Sequence, residues 1–268
     1  MPVAWPATSD QVLKFAAVAS LENKAYGTVR TYMAAIGTKH KLNGWQDPTD
    51  NFLVQKLMQG LARDRKQADC RLPITMEKLE KLVAVLDHIC ASSYEAKLFK
   101  AAFTLAFFGF LRVSEIVGQG ATSPRCRVGL STQDISFTSE MSVTINGSKT
   151  DQRNYGTVVP IKPLWDKLEV CPVNAMRRYM NVRPTGHNTL FVHFDGKPLT
   201  KFQFQAVLKK AAVVLHWDAT RFSSHSFRIG AATTAASNGV ALSLIMRMGR
   251  WRSQAVTAYI RPSQTALK

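Results

Sequence analysis

Near the C-terminal end of this 268-residue chain, several side chains stand at spacings that suit phosphoryl chemistry. They are His225 and Arg228 in His-Ser-Phe-Arg, Arg250 and Trp251 in Gly-Arg-Trp, and Tyr259 in Tyr-Ile-Arg. His225 and Arg228 are three apart, so on a helix they project from one face. Far upstream, Gly-Phe-Leu-Arg-Val-Ser-Glu supplies a second guanidinium, Arg112, and Lys149 lies in a polar connection between two strand-like segments. Breaking and rejoining a phosphodiester loads charge onto two non-bridging oxygens, which guanidinium groups match bidentately without losing their own charge. A nucleophile must attack in line, and a proton must reach the leaving 5′ oxygen. Arg112 and Arg228 can hold the phosphate, Tyr259 can attack it, Lys149 can donate the proton, and His225 can shuttle or hydrogen-bond. A tyrosine with an ordinary pKa near ~10 is a poor nucleophile, and a cluster of cations is what it needs to ionise at neutral pH.

Each piece alone has an ordinary explanation. His225 and Arg228 can be a surface pair, and Tyr259 with Val256 and Ile260 sits at core-like helical spacing. Arg112 and Glu115 can form an i,i+3 ion pair. Gly147-Ser148-Lys149-Thr150 lacks the earlier glycine of a phosphate loop, and Gly118-Gln119-Gly120 follows no strand. The ordered set carries the argument.

The charge agrees with a polyanionic partner. Lys and Arg number 35 against 18 Asp and Glu, a net +17 that favours association with nucleic acid. Residues 1–70 hold 9 basic and 6 acidic side chains, so most of the excess lies beyond them. After Asp218 no carboxylate occurs, while seven Lys or Arg remain from Arg221 to Lys268. A segment that keeps a phosphate close is built this way, because a nearby carboxylate would repel it.

Cys70, Cys90, Cys126 and Cys171 are widely spaced, without a Cys-x-x-Cys pair or a His cluster. They read as thiols of a reducing compartment and not as a zinc site or disulfide framework. The N-terminus shows no charged segment followed by an apolar core, and the longest apolar run, around Ala101–Leu111, is too short to span a bilayer. The expectation is a soluble intracellular protein with no membrane partner.

The elements that must position these residues are mainly helical. A first helix carries Val12, Leu13, Phe15, Ala16 and Val18 after a capping Ser9. A second runs from about Thr28 to His40, and Asn43-Gly44 ends it. Asp47-Pro48 opens a third whose apolar face is Phe52, Leu53, Leu57 and Leu61. The charged run Arg63–Asp69 reads as a linker, giving a helical domain over 1–66, a linker over 67–73 and a larger domain over 74–268. There Thr75 caps a helix with the face Leu79, Leu82, Val83, Val85 and Leu86, and a buried helix over Tyr94–Leu111 delivers Arg112 at its C-terminal end. The period then changes: Asp134–Phe137, Met141–Asn146 and Gly156–Ile161 predict a small antiparallel sheet. Helices return over Val173–Tyr179, Phe202–Leu215, His225–Ser237 and Ala241–Met248, with a last turn around Tyr259. The fold class expected is mainly α with a small antiparallel sheet (α+β).

Arg112 with Val-Ser-Glu, a hairpin Lys149, His-Ser-Phe-Arg228, Gly-Arg250-Trp251 and Tyr259-Ile-Arg resemble, in this order, the tyrosine recombinases, or phage integrases. Met-Gly-Arg-Trp and Tyr-Ile-Arg are most similar to recombinases of eukaryotic mobile elements of the DIRS and Crypton type. The resemblance covers residues 7 to about 66 as a helical core-binding (SAM-like) DNA-binding domain, shortened at its N-terminus, and the remainder as the catalytic domain. It implies a clamp on double-stranded DNA, self-association on it, a 3′-phosphotyrosyl intermediate and a free 5′ hydroxyl, with neither metal nor nucleotide cofactor. It implies that Arg112 and Arg228 hold the phosphate, Lys149 protonates the leaving oxygen, His225 assists and Tyr259 attacks. The family carries His or Trp nine residues before the nucleophile. Here Arg250 stands there and Trp251 is eight before, so either can fill the role. A DNA-binding descendant that no longer cuts, and a relaxing topoisomerase or nicking enzyme with the same tyrosine chemistry, stay open as alternatives. The compartment follows the host: nucleus if eukaryotic, cytoplasm if bacterial.

Overall fold

The computed structural model describes residues 5–64, 69–118, 129–146 and 156–261. The chain divides into two units, Met1–Cys70 and Arg71–Lys268, each packed around its own core.

The first unit packs three helices, α1 (Ser9–Leu21), α2 (Tyr26–Leu42) and α3 (Phe52–Asp64), around Val12, Ala16, Ala19, Val29, Met33, Val54 and Leu61. The cap of α1 is Thr8, one residue before the expected Ser9, because Gln11 completes a reciprocal capping box with Thr8. Asp47-Pro48 opens a 3₁₀ turn over Pro48–Asp50, and α3 starts only at Phe52. That offset rotates the buried face. Phe52 and Leu53 are exposed, and the stripe against the core is Val54, Leu57, Met58 and Leu61. These positions are i, i+3, i+4 and i+7, the spacing one helix face requires.

The second unit is built around α5 (Ser93–Phe108), which is buried on nearly every side from Ala96 to Phe107. α4 (Met76–Ile89), α7 (Pro172–Met180) and α9 (His225–Ser237) pack against it, and α8 (Lys201–Val214) packs on α4. Thr75 caps α4, and its expected apolar face is buried. Phe103 lies at the centre, with ring contacts to Phe99, Phe204 of α8 and Phe227 of α9 at 4.8–5.7 Å. The sheet has the order β1 (Ile135–Phe137), β2 (Met141–Ile145), β3 (Thr157–Ile161), antiparallel throughout, with Met141 opposite Ile161 and Val143 opposite Val159. β2 alternates, burying Met141, Val143 and Ile145. Among the described residues β3 is an edge strand, the kind of strand in which a proline such as Pro160 is tolerated. Lys149, in the β2–β3 connection, and Cys126 lie outside the described residues. Cys70, Cys90 and Cys171 form no disulfide, and burial pushes the Cys90 thiol up to about 11. No helix among the described residues is long and apolar enough to cross a membrane.

α9 can approach the start of α4 only because residue 230 is glycine. The Ile74 N–H donates to the Ser226 carbonyl at 3.0 Å, and a Cβ on Gly230 would overlap the Ile74 backbone. Gly230→Ala should therefore destabilise the chain by at least ~2 kcal/mol, as overpacking against fixed backbone does. Gly60→Ala, in α3 with open space around it, should instead stabilise by about 0.8–1 kcal/mol. Equilibrium denaturation of both variants checks the opposite signs.

Candidate active site

The candidate residues enter the site from three helix ends and one short turn. α5 stops at Gly109, not at Leu111 as its apolar run suggested. The Phe110 and Leu111 N–H groups fold back onto the Phe107 and Ala106 carbonyls, and Phe110 takes φ +50. α10 (Leu242–Met248) ends in the same way at Gly249, with Arg250 and Trp251 bonded back to Arg247 and Met246 and Arg250 at φ +58. Both are Schellman endings with a bulky residue where glycine is usual, which costs about 1–2 kcal/mol each. The compensation lies at Arg228.

Arg228 sits one turn into α9 and is fully buried. Its two terminal nitrogens donate to the Phe110 and Gly249 carbonyls, the groups those two reversals expose. Its guanidinium carbon lies 4.2 Å from the centroid of the Trp251 ring and 5.8 Å from that of Tyr259. Burial first, then the neighbouring Arg112 and Arg250, pulls its pKa down to about 10, so it remains a cation at neutral pH.

Arg112 does not end α5. It is the N-cap of a separate short helix, α6 (Val113–Ile116), whose Glu115 reaches back to it. One carboxylate oxygen of Glu115 accepts from the Arg112 guanidinium at 2.9 Å; the other accepts from the Arg112 backbone N–H at 2.8 Å and from Arg250 at 2.9 Å. The Glu115 side chain is only 3% exposed. The carboxylate-free C-terminal segment is thus not the whole environment: one carboxylate enters from α6. It pairs two of three guanidinium groups and leaves the site positive, with no carboxylate within ion-pair distance of Arg228 among the described residues.

Arg250 and Trp251 part company. Arg250 turns toward Glu115 and donates to the Gly109 carbonyl at 3.1 Å, and burial lowers its pKa. Trp251 folds over Gly249, where an added Cβ would overlap its ring, and covers Arg228. Tyr259 follows a 3₁₀ turn over Gln254–Ala258 anchored by the buried Val256. Its ring lies between Trp251 and His225, with centroids 4.9 and 5.0 Å away. His225 opens α9. The entrance is held by the Ser223 hydroxyl, which accepts the His225 N–H at 3.2 Å, and by Gln205 of α8, which accepts the Ser224 N–H at 2.7 Å. Six of the seven expected residues therefore gather in one cluster, and Lys149 lies outside the described residues. Sequence reasoning missed the bridging role of Glu115, although its i+3 pairing with Arg112 was legible. It missed Gln205 and the two carbonyls altogether, since no side-chain pattern announces them.

A cluster of guanidinium groups beside a tyrosine and a histidine, on a helical unit with a small antiparallel sheet, is an arrangement chemically suited to phosphate esters. Residues 74–265 match the phage integrase family, and the chain belongs to that family: it is a site-specific tyrosine recombinase. An integrase/recombinase XerD homologue of Selenomonas ruminantium is 25% identical over 265 residues, covering 93% of this chain and 72% of its own length. The fold is similar to the Tn1549 transposon integrase solved with circular intermediate DNA, with TM-score 0.65, 18% identity, and coverage of 99% of this chain and 84% of that one. It is also similar to the XerH site-specific recombinase in a post-cleavage complex on a palindromic difH substrate, with TM-score 0.66, 14% identity, and coverage of 95% and 69%.

Two outcomes follow from the electrostatics. Glu115→Gln removes the charge shared by Arg112 and Arg250 and should cost roughly 3 kcal/mol, because breaking a buried pair strands the partner charge. Vanadate or phosphate should raise the melting temperature, by about 1.4 kcal/mol of stabilisation when the anion is tenfold above its Kd. Calorimetry with and without anion checks both, and an anion effect that persists in Arg228→Ala would place binding elsewhere.

Proposed function

We propose that Tyr259 attacks a DNA phosphate held by Arg112 and Arg228. The Tyr259 oxygen forms a bond to phosphorus as the bond to the 5′ oxygen breaks, giving a 3′-phosphotyrosyl link and a 5′ hydroxyl. His225 takes the tyrosine proton, and Lys149 protonates the leaving oxygen. Attack by the same or another 5′ hydroxyl reverses the step, so the ester bond is conserved and no external energy source is needed. Trp251, on the Arg228 guanidinium, closes the site in the place of the family's His or Trp, while Arg250 acts through Glu115. The observation that carries this reading is the convergence on Tyr259, whose ring centroid lies 5.0 Å from that of His225, 4.9 Å from that of Trp251 and 5.8 Å from the Arg228 guanidinium carbon, with Trp251 4.2 Å from the same guanidinium. Because Arg228 is fully buried, the Trp251 and Tyr259 rings must turn aside for a phosphate to reach it.

The partner is double-stranded DNA, supported by the net charge of +17 and by the DNA in the solved relatives. The helical unit Met1–Cys70 is the core-binding domain and Arg71–Lys268 the catalytic domain. Strand exchange between two duplexes requires several tyrosines, which supports self-association on DNA. A mobile-element origin is supported by the transposon integrase likeness, and the DIRS- or Crypton-type reading rests on the phrases at Met248–Trp251 and Tyr259–Arg261. The chain acts where its DNA lies, in the cytoplasm of a bacterium or the nucleus of a eukaryote.

Incubation with a pool of nicked duplexes of randomised sequence should give a covalent protein–DNA species that survives denaturation and is lost in Tyr259→Phe. Absence of any such species, with DNA binding intact, would overturn the assignment of Tyr259 as nucleophile. Arg112→Ala and Arg228→Ala should abolish the adduct while changing affinity only a few-fold, since many other cations share the backbone contacts. Gel shifts across a salt series check the affinity, and loss of all binding in either variant would show that these arginines are not specific to chemistry.

A further inference from the structure

Thr233 stands on α9 between the catalytic-site residues and the helix end, 5% exposed, in a run of small residues that packs against the core. Its hydroxyl makes two contacts with the nucleophile's own segment. It donates to the Tyr259 carbonyl at 3.2 Å and accepts the Arg261 backbone N–H at 3.1 Å. The two bonded groups straddle Ile260, so a single side chain fixes the backbone at and just after the tyrosine. Further attachments of this segment lie on the N-terminal side: Val256 is buried, the Tyr259 N–H bonds the Val256 carbonyl at 2.8 Å, and Ser253 caps the turn. Thr233 therefore ties the far side of Tyr259 to the helix carrying His225 and Arg228.

We propose that Thr233 is a positioning residue for Tyr259, pinning its main chain to α9 while leaving its ring free to turn. This role rests on the reading of Tyr259 as nucleophile. Exposure of Arg228 requires the tyrosine ring to move off the guanidinium, and in-line attack requires the hydroxyl to arrive at one position. A backbone held on both sides limits that motion to the side-chain torsions. With the hydroxyl removed, the whole segment can shift, and a displacement of about 1 Å is enough to slow such a reaction by up to roughly a hundredfold. Valine keeps the shape of threonine and removes the two bonds, and serine keeps the hydroxyl.

The test compares the parent, Thr233→Val and Thr233→Ser with the randomised nicked-duplex pool. Adduct formation should fall on the order of ten- to a hundredfold in the valine variant and recover in the serine variant, with unchanged non-covalent DNA affinity. Amide exchange of the 258–261 segment, read by mass spectrometry on the unbound protein, should speed up in the valine variant only, because the Arg261 N–H loses its acceptor. An equal or faster adduct rate in Thr233→Val would overturn the positioning role, as would unchanged exchange. A parent chain that forms no Tyr259-dependent adduct would overturn the nucleophile reading and the catalytic consequence with it, and the exchange comparison would still decide whether the hydroxyl holds the segment.

Discussion

The second unit depends on one buried cation, Arg228. An arginine taken out of water demands acceptors, and Arg228 finds them in the carbonyls of Phe110 and Gly249. Both carbonyls are available because α5 and α10 end in left-handed reversals, at Phe110 and Arg250. Main-chain carbonyls satisfy hydrogen bonds without neutralising charge. The guanidinium is thereby held in place and still positive, the condition a phosphate site needs.

The rest of the unit follows from that constraint. Two helix ends must be brought to a third helix to within hydrogen-bond distance, so the packing between them has to be stiff. α5 is buried almost all round and touches α4, α7 and α9, with Phe103 locked among Phe99, Phe204 and Phe227. Gly230 lets α9 approach the Ile74 backbone closely enough to share a hydrogen bond. Glu115 then tunes the charge. It compensates Arg112 and Arg250, which are the two cations that push on Arg228, and among the described residues no carboxylate pairs with Arg228 itself.

Much of this was legible from side-chain types, and the unread parts share one cause. Hydrophobic period located the longer helices of the second unit and the three strands, though not the short α6, because a face buried at 3.6 or 2 residues per repeat leaves a pattern. It misplaced the buried face of α3, because a 3₁₀ turn after Asp47 shifted the helix start and with it the phase. It ran α5 on to Leu111, because apolar residues continue through the reversal at Phe110 and only Gly109 marks the end. Within the site, His225, Arg228 and Tyr259 were found by residue type. The carbonyls of Phe110 and Gly249 carry no residue-type signal, since every residue has one and only the fold decides where it points.

The division between Arg250 and Trp251 shows how backbone geometry separates two side chains that spacing leaves equivalent. At φ +58 the chain reverses at Arg250, so that consecutive side chains leave α10 in different directions. One goes to Glu115 and the Gly109 carbonyl; the other folds back across Gly249 onto Arg228. Had residue 249 carried a side chain, Trp251 would have been displaced from that position by overlap with its ring. The glycine thus does two jobs: it ends the helix, and it leaves room for the indole that covers the buried cation. An arginine nine residues before the tyrosine is compatible with the site because the reversal takes its charge away from Tyr259 and toward a carboxylate. Counting residues back from Tyr259 identifies the position, and the helix ending determines which of the two neighbouring side chains lies against its ring.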